Sequence, residues 1–147
     1  MNRRRRIPLQ ARRAGASAKP VKAQNAKAKR RPAMSDGEWQ MRVDLAACYR
    51  LIAHYEMDDL FATHISARIP GADEHFLINQ LGMLFSQVTA SSLVKVDLAG
   101  NVIWPRGALI NPAGYVIHSA VHGARPDAKC VIHTHTVAGM AISSLKE

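Results

Sequence analysis

The sequence predicts a layered α/β or α+β domain, in which helices pack on a sheet of mainly antiparallel type. Three observations carry that expectation. Met41, Leu45, Cys48, Tyr49, Ile52 and Tyr55 recur at helical spacing. Short β-like runs between residues 64 and 104 are separated by turn residues. Asn111-Pro112 opens a further helix, which is followed by a short apolar strand and another helical stretch. No internal repeat is visible.

In chain order, Ser35-Asp36-Gly37-Glu38 reads as a capping box, with a hydroxyl at the N-cap and a carboxylate three residues on. The helix it starts spans about 18 residues, buries one face and stops before Asp58-Asp59. His64–Ile69 is a strand ending at the turn Pro70-Gly71, and Phe76–Ile78 is a second ending near Gly82. Thr89–Ser92 is expected to form a single helical turn. Val94–Val96 and Val102–Trp104 flank Leu98-Ala99-Gly100-Asn101, a hairpin turn. The Asn111-Pro112 helix runs to about Ala124, because Pro126 disfavours helix in the residue before it. Cys130 to Thr134 or His135 is then a strand, and Val137 onward is helical.

The formal charge of +9 is unevenly distributed. Residues 1–33 hold twelve Lys or Arg and no Asp or Glu, which leaves eight basic and eleven acidic side chains beyond them. The expected division is therefore a basic, disordered tail over 1–34 and a globular domain over 35–147. The tail is a solvated extension, a transit peptide or a phosphate-backbone contact; nucleic acid would be met only there, and no aromatic side chain is interleaved for base stacking. "MSDGEWQ" at Met34 would make a natural start. Cys48 and Cys130 are too few and too far apart for a disulfide framework, which suggests reduced thiols in the cytoplasm. No apolar run has the length of a membrane span, and no apolar region suited to a secretory signal follows the arginines.

The chemistry gathers at "CVIHTHTVAG", residues 130–139. Side chains alternate across a strand, so His133 and His135 would share a face. They are core filler, a proton-transfer pair, or two ligands of one ion at about 2.0–2.1 Å each for zinc. The neighbouring threonines are candidates for fixing the ring tautomers. Cys130 has the opposite parity and is left out. A third ligand would come from His118, His122, His64, His54 or His75; His118 and His122 lie four apart on one helical face, where they could equally be ordinary inner-face residues.

"NPAGYVIHSAVHGARPDAKCVIHTHTVAGMAISSL" resembles the class II aldolase/adducin family, and R-P-D-A followed five residues later by H-T-H is its most specific signature. "LAACYRLIAHYEMDDLFATHISARIPG" resembles the family's first helix and its G-N-[VL]-S-x-R turn. "FLINQLGMLFSQVTASSLVKVDLAGNVI" resembles the strands that follow. The resemblance spans roughly Glu38 to Glu147. It implies a three-layer α/β/α domain around a mainly antiparallel sheet, a divalent metal that is usually zinc, and a ring-shaped homotetramer with sites between subunits. It also implies His133 and His135 as metal ligands with a third histidine further downstream. The chain ends twelve residues after His135, so the resemblance implies an incomplete domain.

Departures from the family pattern bear on function. An ungapped count places the family's general acid/base carboxylate at Gly114, and its phosphate-holding serines at Pro112 and Ala113. The Gly-Asn of the turn reads Thr63-His64, with Ser66 and Arg68 retained, and Gly82 remains from a T-G pair. Ser66 and Gly82 are thus the substrate-binding candidates, and Tyr115 and His118 the candidates to replace the carboxylate. The expected function is a metal-dependent lyase or epimerase acting through a metal-stabilised carbanion on a small non-phosphorylated carbonyl or hydroxy-acid compound. The alternative is a non-catalytic, adducin-like scaffold or an inactive fragment.

Overall fold

The computed structural model describes residues 34–146; the basic tail expected over 1–34 lies, but for Met34, outside the described residues. The elements are α1 (Asp36–His54), β1 (His64–Ile69), β2 (Ala72–Ile78), a 3-10 turn (Phe85–Gln87), β3 (Val94–Asp97), β4 (Val102–Trp104), α2 (Pro112–Ala124), β5 (Cys130–His133) and α3 (Val137–Ser143). The five strands form one sheet in the order β4-β3-β2-β1-β5, and every neighbouring pair is antiparallel.

β1 has helices over both faces, and its sequence serves both. Ile65, Ala67 and Ile69 face α1 and join Leu45, Ala46, Tyr49, Leu77, Phe85, Val88 and Leu93 in the main core. The Tyr49 hydroxyl accepts from the backbone N–H groups of Ile65 and Asn79, tying α1 to β1 and β2. A second core on the opposite face joins Phe76, Ile78, Val94 and Val96 to Tyr115 of α2. His64, Ser66 and Arg68, the other parity of β1, are buried beneath α2. The result is an α/β/α sandwich, as expected.

Local starts and stops follow the sequence. Asn111 caps α2 by accepting from Ala113 N at 3.1 Å, and its amide donates to Phe61 O. Asp97 closes the β3–β4 hairpin by accepting from Ala99 N, Asn101 N and the Asn101 amide.

Four expectations need correction. Ser35 does cap α1, accepting from Glu38 N at 3.1 Å, but the Glu38 carboxylate does not close a box. It lies between Arg42 (3.0 Å) and Lys95 (2.9 Å), since two cations are stronger partners than one backbone N–H. Thr89–Ser92 is a turn held by side-chain hydrogen bonds, and the helical turn falls earlier, at Phe85–Gln87. β5 ends at His133, so His135 lies beyond the strand and alternation does not fix its direction. Tyr55, placed on the buried face of α1, is 67% exposed, and the polar Glu38 and Arg42 are buried instead.

Candidate functional site

β1 and β5 pair with His64 opposite His133, and this register brings their rings together. α2 crosses the same face with His118 and His122 one turn apart, both directed at the sheet and both fully buried. A continuous line of side chains results. Ser66 Oγ lies 2.9 Å from His122 Nε2 and hydrogen-bonds His118 Nδ1 on its other side. His118 Nε2 lies 2.8 Å from His64 Nδ1. His64 Nε2 lies 3.4 Å from His133 Nδ1, and the His133 and His135 rings meet edge to face. His135 Nδ1 ends the line, 2.9 Å from Asp59 Oδ2 at the surface. Arg68 donates to the His122 carbonyl near the C-terminus of α2, where a cation also complements the helix dipole.

Burial sets the charge state of this line. It is the first cause that pushes His118 down to about 3, reinforced by the fields of His64, His122 and His133. Burial also lowers His64, helped by His133 and His135. It lowers His122, helped by Arg68, and His133, helped by His135. These four imidazoles are therefore neutral at pH 7.

His133 and His135 are two side chains of a type that ligates divalent ions. A carboxylate only accepts, so Asp59 holds the His135 proton on Nδ1 and leaves Nε2 with a lone pair. His133 Nδ1 meets His64 Nε2, and either nitrogen can be the donor there. The His133 and His135 ring centroids are 4.8 Å apart, as are those of His64 and His133, and those of His64 and His118 are 4.7 Å apart. Among the described residues no group of three His, Cys, Asp or Glu side chains is arranged to hold an ion. The pair thus supplies two ligands, and the described residues supply no third.

The other candidates fall into two groups. His118, Ser66, His64 and His122 join the line, but in its buried part. Tyr115 lies in the second core, stacked on Phe76, with its hydroxyl donating to Leu98 O at 2.8 Å. Gly82 occupies an exposed turn at φ 80°. His54 is exposed at the end of α1 against Tyr55, and His75 pairs with Asp97 across β2 and β3. Thr136 caps α3, accepting from Gly139 N, so the tautomer partners are Asp59 and His64 rather than the threonines. Asp59, Arg68 and the buried roles of Ser66 and His64 were missed. For the three β1 residues the signal is the polar parity of "HISAR" in a strand apolar on its other parity; Asp59, in the loop before it, carries no such signal.

Gly114 is where α2 comes closest to His64. A Cβ there would lie 2.7 Å from His64 Cδ2 and 2.9 Å from Cγ. The ring is held at both nitrogens and cannot swing aside cheaply. Gly114→Ala is expected to cost about 1–3 kcal/mol by overpacking, although alanine is the better helix former. Urea denaturation of the single variants and of a His64→Ala double variant checks this: the cost at 114 should largely vanish in the His64→Ala background.

Comparison with known proteins agrees with this architecture. Residues 43–147 match the family model described as the class II aldolase and adducin N-terminal domain. A Caulobacter vibrioides protein with a provisional aldolase class 2 name is 61% identical over 114 residues, which cover 78% of this chain and 44% of that protein. Mouse alpha-adducin is 49% identical over 117 residues, covering 78% of this chain and 16% of adducin. The crystal structure of an aldolase II superfamily protein from Pseudomonas syringae superposes with a TM-score of 0.73 at 56% identity, covering 77% of this chain and 46% of that one. The chain belongs to the class II aldolase/adducin family. It spans less than half the length of each of these relatives. Among its described residues, no helix is long and apolar enough to cross a membrane.

Proposed function

We propose that the domain binds a divalent metal ion, zinc by preference, through Nε2 of His133 and His135. The observation that supports this reading is that both rings meet their neighbours through Nδ1, His135 at Asp59 and His133 at His64; for His133 the reading requires that Nδ1 be the donor in that contact. When bound, such an ion would supply Lewis-acid stabilisation of negative charge developing beside a carbonyl. His133 and His135 hold it, and Asp59 and His64 orient the two rings. The reaction class is that of a lyase or epimerase using a metal-stabilised carbanion, within a longer, homotetrameric protein. The substrate is a small carbonyl or hydroxy-acid compound without phosphate, because Pro112 and Ala113 have no side-chain group to hold one.

A second reading, a non-catalytic scaffold of the adducin kind, is favoured by one observation. Gly114 carries no side chain, and the His64 ring fills the space above it. Metal content per chain separates the two readings. Elemental mass spectrometry of the purified protein should find about one transition metal, lost in His133→Ala/His135→Ala. No metal in either protein would abandon the first reading for the second.

A further inference from the structure

We propose that Cys48 and Cys130 form a modification site: a thiol pair that reacts with a low-molecular-weight disulfide and closes into an intramolecular disulfide between α1 and β5. They are the two cysteines of the chain, and both are free thiols in the fold. The sheet register brings them to one side. Cys130 pairs with Ala67 across β5 and β1, and directly opposed residues put their side chains on the same face. Ala67 faces α1 in the main core, so Cys130 lies on that side too, behind the strand face that presents His133. Cys48 packs against the same core from α1. It shares its flank of the helix with Met41 and Ile52, whereas Arg50 on the other flank donates to Val88 O. The chain beyond α1 returns to the β5 segment, where His135 N donates to Met57 O at 3.3 Å. The thiols also feel each other: after partial burial, the field of Cys48 is what raises the Cys130 thiol.

The pair is asymmetric, and that sets the order of events. Cys130 is exposed and Cys48 is half-buried. The Cys130 thiolate attacks one sulfur of a small disulfide RS–SR, forms a Cys130 S–SR bond and releases a thiolate, which takes the proton that Cys130 gave up. The Cys48 thiolate then attacks Cys130 Sγ, forms the Cys48–Cys130 bond and expels the second small thiolate, which is protonated in turn. Two protein thiols are oxidised, and one small disulfide is reduced to two thiols. Partial burial raises both protein thiols, so closure is slow near neutrality and speeds up as thiolate becomes available. The strand can meet the geometry of the bond, which needs Cα atoms about 4.4–6.8 Å apart. β5 is an edge strand of four residues, and Cys130 and Ile132 on its α1 side are exposed, so it can shift where a central strand could not. Once closed, the bond clamps to α1 the strand whose opposite face carries His133.

The test is oxidation of the dilute, folded full chain with oxidised glutathione at about pH 8.5, where thiolate is populated. Intact mass, a non-reducing denaturing gel and peptide mapping read the product. The expected product is a single chain two hydrogens lighter, with a peptide that links Cys48 to Cys130, formed without denaturant and reversed by a reductant. Cys48→Ser should stop at a glutathione adduct on Cys130. Cys130→Ser should react about tenfold more slowly, because its remaining thiol is half-buried. Amide exchange along the β1–β5 ladder should slow in the oxidised chain. A wild-type chain that stops at the glutathione adduct, that links cysteines between chains, or that closes only in urea would overturn the proposal. If a serine variant fails to fold, the wild-type mass and peptide map decide. A closed disulfide with unchanged exchange along that ladder would overturn the clamp.

Discussion

Arg42→Met is expected to remove about 3–5 kcal/mol from the unfolding free energy, the usual cost of breaking a buried ion pair from one side. Arg42 is fully buried, yet every face of its guanidinium is used. It donates from Nε and Nη2 to Glu38 Oε1 at 3.1 and 3.0 Å, and from Nη1 to the carbonyls of Leu93 and Ala90 at 2.7 and 3.3 Å. Its Cζ lies 4.8 Å from the centroid of the Trp104 ring. The methionine stem would fill much of the space but leave the two carbonyls without donors, and would leave Glu38 with Lys95 alone. Urea denaturation at pH 7 measures the loss. Arg42→Met/Glu38→Gln should recover only a small part of it, since the Leu93 and Ala90 carbonyls lack their donor in both variants and Lys95 then loses the Glu38 charge. A loss below about 1 kcal/mol for the single variant would mean that the pair is merely tolerated.

Acid should unfold the metal-free protein from about pH 6.5 downward. His118 sits near 3 in the fold against 6.5 as an ordinary histidine. Between those values the unfolded chain holds a proton that the folded chain lacks, so stability rises with pH there and is complete above the upper value. Each such histidine removes at most about 1.4 kcal/mol per pH unit as pH falls through its window. His64, His122 and His133 are shifted in the same direction and steepen the slope. Glu38 contributes only later. Burial alone would raise its carboxyl, but Lys95 and Arg42 hold it below its usual 4.5, so its contribution is lost below that range. Stability measured from pH 7.5 to 4.5 should fall with a slope that reports more than one proton. His118→Asn should reduce that slope by about one proton. A flat profile across this range would refute the neutral, buried state of the cluster.

Much of the architecture was legible because its signals are local. The Ser35 cap, the Asn111-Pro112 start and the Leu98–Asn101 turn each lie within a few residues of what they determine. The site was legible only at its outer end. H-x-H can be read from one segment, but the line behind it depends on α2 lying across β1 and on the pairing of His64 with His133. Neither is written in any single window of sequence. The parity argument for His135 assumed a strand that continues past His133, and the strand stops there. Glu38 shows the same limit: its spacing from Ser35 matched a local motif, while its partners lie 4 and 57 residues away.

The contact between Gly114 and His64 also constrains how related chains can vary. The space between α2 and β1 at this point has room for one side chain, and here the strand supplies it. A relative with a larger residue at the helical position should carry something slimmer than imidazole at the strand position, and the two should change together. Exchanges at either position alone should be rare among stable family members. Such covariation would describe a volume with a single owner, passed between helix and strand as lineages diverge.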